Sequence, residues 1–158
     1  MKLTMAVFLC VAALTVVPAF AQDKPADTNM QILRDKVKAD KKLVVAANMN
    51  LSDAEGKVFW PIYDEYQKDL QSLNDRTAKV ILDYADAYNK NTLTDEQADT
   101  LTNAALAIDQ DEVTMRKKYA VKLKGVLPGK KVARYLQIEN KIRAMIRYDL
   151  ADGIPLVP

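Results

Sequence analysis

The sequence predicts an all-α fold: an elongated bundle of about four helices with long antiparallel hairpins. Three observations carry this expectation. Glycine is scarce, at Gly56, Gly125, Gly129 and Gly153 only, and the chain is rich in Ala, Leu, Lys, Asp and Gln, which suit helix better than sheet. Apolar residues recur every three or four positions through long windows. Ser52 with Glu55, and Thr94 with Gln97, have the spacing of capping boxes, in which two side chains satisfy backbone N–H groups at a helix start.

The first 21 residues read as a signal peptide. Lys2 supplies positive charge, Met5 to Val17 is an apolar run of 13 residues, and Ala19-Phe20-Ala21 is a small-x-small cleavage site. A bilayer span needs about 20 apolar residues, so the run is short for an anchor. A lipoprotein reading would use Cys10, but Leu9 stands before it where a small side chain is wanted. Cleavage leaves Gln22 as the first residue and 137 residues in one domain. The mature chain then holds no Cys and no His, which excludes disulfides, the usual zinc and copper ligands and the usual near-neutral proton shuttle.

Gln22 to Asn29 reads as a disordered leader, and residues 30–153 as a single helical domain. A first helix is expected from about Met30 to Asn48, with Ile32, Leu33, Val37, Val44 and Ala47 on its apolar face and Lys36, Lys38, Lys41 and Lys42 on a basic one. Ser52 starts the second helix, which reaches about Tyr88. Its apolar positions are Phe59, Tyr63, Tyr66, Leu70, Leu73, Thr77, Val80, Tyr84 and Ala87, in alternating steps of three and four from Tyr66 onward. Pro61 lacks the N–H for the Lys57 carbonyl, which predicts a kink or a restart there. Asn89 to Thr92 is a turn. Thr94 opens the third helix, with Leu101, Ala105, Ile108, Met115, Tyr119 and Val126 on one side, ended by Gly125 and Pro128-Gly129. The fourth runs from about Lys130 to Ala151 with Val132, Tyr135, Leu136, Ile142, Met145 and Ile146 as its stripe. The tail, 154–158, is apolar and is expected to dock on a groove of this chain or of a partner.

Charge is segregated. From Ser52 to Val113 there are 14 acidic and 5 basic residues; from Met115 to Tyr148 there are 11 basic residues against Glu139 alone. The halves are either two solvated faces, or complements within one chain or across a dimer, or a basic surface for anionic partners.

Asn50-Leu51-Ser52-Asp53-Ala54-Glu55, Leu93-Thr94-Asp95-Glu96-Gln97 and Val126-Leu127-Pro128-Gly129-Lys130-Lys131-Val132-Ala133 each open a predicted helix. Their order and spacing resemble the Spy/CpxP family of bacterial periplasmic proteins, which carry two LTxxQ motifs in an all-helical, hairpin-like chain. The likeness covers roughly Lys41 to Met145. Leu93-Thr94-x-x-Gln97 matches the motif in full, Leu51 to Glu55 nearly, and Leu127 to Lys131 has lost Thr and Gln. The resemblance implies a periplasmic, cradle-shaped antiparallel homodimer that binds unfolded or partly folded clients without ATP. Relatives that sense metals use His and other ligands that this chain lacks.

No enzyme and no cofactor is expected. Two serines, Ser52 and Ser72, have no His to activate them, and there is no Gly-rich phosphate loop. Asp109, Asp111 and Glu112 cluster, but on a helix, which does not wrap a cation as a loop does. The client-binding candidates are the aromatic residues Trp60 and Tyr63 and the basic residues Arg116, Lys117, Lys118, Lys122, Lys124, Lys130, Lys131 and Arg134. An exported chain meets little nucleic acid, so none is expected as partner; an anionic membrane surface is the nearer competitor. The alternative function is a non-enzymatic structural or regulatory partner of one specific periplasmic or membrane protein.

Overall fold

The computed structural model describes residues 39–158. The signal peptide, the leader and the helix positions Ile32, Leu33, Lys36, Val37 and Lys38 lie outside the described residues. Four helices and no strand are found among those described: α1 over 39–49, α2 Asp53–Asn89, α3 Asp95–Lys124 and α4 Gly129–Gly153. α2 and α3 form a long hairpin, and α4 runs back along it from the open end, where α1 also packs, towards the tip. At about 1.5 Å per residue α2 is roughly 55 Å long.

Both capping boxes form. The Ser52 hydroxyl accepts from the Glu55 N–H at 3.3 Å, and the Glu55 carboxylate accepts from the Ser52 N–H at 2.8 Å. Thr94 and Gln97 make the same exchange at 3.2 and 3.1 Å. Thr94→Ala is expected to cost about 1 kcal/mol and Ser52→Ala a similar amount, read as loss of thermal midpoint. Unchanged midpoints in both variants would show that these caps do not set the helix starts.

α2 ends in a Schellman turn. Thr92 N–H bonds the Ala87 carbonyl and Asn91 N–H the Tyr88 carbonyl, with Asn91 at φ 51°. Asn50, at φ 47°, closes α1 in the same left-handed conformation. The glycines expected to end the third and fourth helices stand there, Gly125 as the cap of α3 and Gly153 as the last residue of α4, but none among the described residues has positive φ. Asparagine fills both left-handed positions because its short amide tolerates them. Gly125 caps α3 with φ −72°.

α2 runs unbroken through Pro61, so no restart occurs. One backbone hydrogen bond is given up at the Lys57 carbonyl, while Phe59, Tyr63 and Tyr66 on either side are buried and hold the helix.

The core is Val45, Met49, Phe59, Tyr63, Tyr66, Leu73, Ile108, Met115, Tyr119, Leu123, Leu127, Val132 and Tyr135. Every apolar position expected on α2 is buried or half-buried. Elsewhere the expected faces are corrected. In α1, Val44 and Ala47 are exposed and Val45 and Met49 buried. The inward series is Lys41, Val45, Met49, because Lys41 turns inward to meet a buried carboxylate, Glu139. In α3, Ala105 and Val126 are exposed, and the buried series is Ile108, Glu112, Met115, Tyr119 and Leu123. In α4, the stripe outruns the packed layers: Ile142 is half-buried, but Met145 and Ile146 are exposed.

Candidate functional site

Four rings make the centre of the core near the open end of the hairpin. Phe59, Tyr63 and Tyr66 recur every three or four residues on α2, and Tyr135 reaches them from α4. Tyr135 meets Phe59 edge-on at 5.2 Å between centroids and Tyr66 at 5.7 Å, and Tyr66 meets Tyr119 at 5.2 Å. Edge-on ring pairs add about 0.5–1.5 kcal/mol beyond their buried area. Desolvation pushes the hydroxyls of Tyr63, Tyr66, Tyr119 and Tyr135 well above the ordinary tyrosine value, so all four stay neutral.

The two aromatic binding candidates therefore part ways. Tyr63 is 3% exposed and belongs to the core. Trp60 is half-buried and lies on the outer side of this cluster, edge-on to Phe59 at 5.0 Å and to Tyr63 at 5.3 Å. Lys42 of α1 places its ammonium 5.1 Å from the Trp60 ring centroid, within cation–π range, while pairing with Asp64 at 3.0 Å. Trp60 and Pro61 form one wall of an open groove of about 740 Å³ at the α1–α2 corner, with Ala46, Leu51 and Gly56 along it.

The eight basic candidates do not form one patch. Lys118 pairs with Asp69 at 2.9 Å, Lys122 with Glu65 at 2.5 Å and Lys131 with Glu55 at 2.5 Å. Arg134 donates to the Asn48 carbonyl at 3.3 Å, and Lys131 to the Asn50 carbonyl at 3.1 Å. These four tie α3 and α4 to α2 and to the end of α1. Arg116 is half-buried and its charge acts on Tyr66. Lys117, Lys124 and Lys130 are exposed and make no ion pair among the described residues. Much of the charge segregation is thus complementarity within the chain.

The Lys131 bridge has a pH signature. The Lys131 ammonium, with the Ser52 N–H, lowers the Glu55 carboxyl from 4.5 to about 2. A lowered acid stabilises the fold at pH above its unfolded value and loses that contribution as pH falls through the folded value. The thermal midpoints of the wild type and Glu55→Gln should differ above about pH 4.5 and converge as pH drops towards 2. A gap that is constant over this range would remove Glu55 from the acid response.

Two acids, Glu139 and Glu112, are buried at core positions where the sequence pattern predicts no charge. Glu139 is 3% exposed, pairs with Lys41 at 2.8 Å and accepts from Gln67 Nε2 at 2.8 Å; Gln67 in turn accepts from Lys41 at 2.9 Å. Glu112 accepts from Arg143, and from Arg147 at 2.8 Å. Their register was the available signal: Glu139 is four residues past Tyr135, and Glu112 four past Ile108, each in the slot of an inward side chain. No buried side-chain nitrogen or oxygen among the described residues lacks a partner.

The acidic cluster is spoken for by arginine: Asp109 pairs with Arg147 at 2.5 Å and Asp111 with Arg76 at 2.6 Å. Among the described residues no group of three or more His, Cys, Asp or Glu is placed to hold a metal, and no helix is long and apolar enough to cross a membrane. No protein-family model, no curated protein and no solved structure matches this chain.

Proposed function

We propose that this chain is an exported, ATP-independent chaperone-like or envelope stress-response protein of the Spy/CpxP type, which holds unfolded or partly folded clients in the periplasm as a homodimer. One observation carries the client-binding part. Leu106, Val113, Lys117, Val121 and Lys124 recur along the side of α3 turned away from Ile108, Met115 and Tyr119, and all five are exposed. Val121 is 71% exposed. An unfolded chain offers apolar side chains and backbone carbonyls, and an apolar stripe set with lysines suits both. The dimer and the family type rest on the sequence resemblance around Ser52 and Thr94, and export on the run Met5 to Val17 with Ala19-Phe20-Ala21.

The test is suppression of aggregation of an unrelated denatured protein, with on-rates and off-rates measured at several salt concentrations. Exposed charges act over about 10 Å at 0.1 M salt, so the on-rate should fall with salt while the off-rate changes less. Lys117→Gln with Lys124→Gln should copy the effect of salt. Lys118→Gln with Lys122→Gln should instead lower the thermal midpoint, since those two lysines hold Asp69 and Glu65. No binding of any denatured client would favour the dedicated-partner alternative, and sedimentation giving a monomer at micromolar concentration would remove the dimer.

A further inference from the structure

The far tip of the hairpin carries a feature that client binding on α3 does not use. Tyr84 and Tyr88 sit one turn apart on α2 with ring centroids 5.7 Å apart, tilted by 45°. Beside them the Schellman turn and the first turn of α3 enclose a pocket of about 280 Å³, walled by Ala87, Tyr88, Leu93 and Ala98 and by Val157 and Pro158 of the tail. The tail reaches this place in extended backbone, with Ile154 at φ −99° and ψ 117°, as a residue before proline must be. The Tyr84 hydroxyl donates to the Pro155 carbonyl at 3.0 Å.

The sequence of the tail fits this seat. Pro155-Leu156-Val157-Pro158 has the spacing P-x-x-P. Two prolines three apart favour polyproline II, which has three residues per turn and leaves its carbonyls free to accept hydrogen bonds. Pro155 is held by its carbonyl, Val157 and Pro158 turn to the pocket, and Leu156 between them is 90% exposed. Paired aromatic rings with a hydroxyl aimed at a proline carbonyl are the physical means by which proline-rich segments are held, because the ligand is already stiff and little entropy is lost. Ile154 is half-buried, but the tail beyond it stays exposed, so the seat is shallow and the tail can leave it.

We propose that the Tyr84–Tyr88 platform at the hairpin tip is a binding site for an extended, apolar P-x-x-P segment of another protein, and that the chain's own Pro155 to Pro158 occupies it as an internal competitor. The site lies on the tip and does not depend on client binding by α3. An intramolecular occupant reduces the apparent affinity of an external one by the fraction of time the site is free. The tail is thus a threshold that a partner must exceed.

The probe is a fluorescein-labelled peptide Ile-Pro-Leu-Val-Pro, titrated by anisotropy into three full-length proteins. The first is the wild type. The second carries Pro155→Ala, Val157→Asp and Pro158→Ala, which unseat the tail and lie beyond α4, so its helix content by circular dichroism should stay that of the wild type. The third adds Tyr84→Phe to the second. The second protein should bind the peptide about tenfold more tightly than the wild type, and the third about fivefold more weakly than the second, for one hydroxyl–carbonyl bond. A peptide with both prolines replaced by alanine should bind more weakly than the parent to the second protein. No binding to the second protein up to millimolar peptide, equal binding to wild type and second protein, or indifference to Tyr84→Phe would each overturn the proposal. Suppression of aggregation is read separately, so either function can fail without the other.

Discussion

Tyr135→Ala is expected to cost about 3–5 kcal/mol, the range for truncating a large buried aromatic side chain to alanine, and to loosen α4 before the α2–α3 hairpin. Tyr135 is fully buried and is the ring by which α4 reaches Phe59, Tyr63 and Tyr66. The other ties of α4, from Lys131, Arg134, Glu139, Arg143 and Arg147, are polar, so no second large apolar anchor replaces this ring. Tyr135→Phe keeps the ring and removes only the hydroxyl, which accepts from Gln67 Nε2 at 3.4 Å and lies beside Glu139. That change should cost about 1 kcal/mol. Chemical denaturation gives the two energies, and hydrogen exchange gives the order of loss. Amides of α4 exchanging no faster than those of α2 in Tyr135→Ala would show that α4 is held elsewhere.

The second large effect concerns the buried pair Lys41–Glu139, and it should be asymmetric. Lys41→Met leaves the Glu139 carboxylate buried with Gln67 as its remaining hydrogen-bond donor on α2, and is expected to cost about 3 kcal/mol or more. Glu139→Leu leaves Lys41, whose side chain is 13% exposed and whose long stem can carry the ammonium to water. The loss should be smaller. The double change Lys41→Met with Glu139→Leu places apolar groups in both positions, and such replacements are often neutral or stabilising. It should recover most of the stability lost in Lys41→Met. Denaturation midpoints of the three variants decide this. Additive losses in the double variant would mean that the pair acts through packing and not through charge.

Local residues suffice for α2, α3 and α4 and for most of their ends. Ser52 and Thr94 start α2 and α3 because side chain and backbone satisfy each other within four residues, without help from the rest of the fold. The α2 stripe was equally legible, since a long helix packed along its length must place Phe59, Tyr63, Tyr66 and Leu73 on one side. Which charges are buried depends on packing between helices. Nothing local in Lys41 distinguishes it from Lys42, yet one lies against Glu139 and the other over Trp60. A buried carboxylate is paid for by a cation from another helix, and that meeting is non-local. The same holds for the basic third of the chain: Lys118 and Lys122 face Glu65 and Asp69 only because the hairpin sets α3 against α2, while Lys117 and Lys124 on the outer side remain free of such pairs among the described residues. Charge along the sequence gave the complementarity as one of three readings. Which lysine joins which acid is set by which side of the helix faces its neighbour, and that only packing fixes.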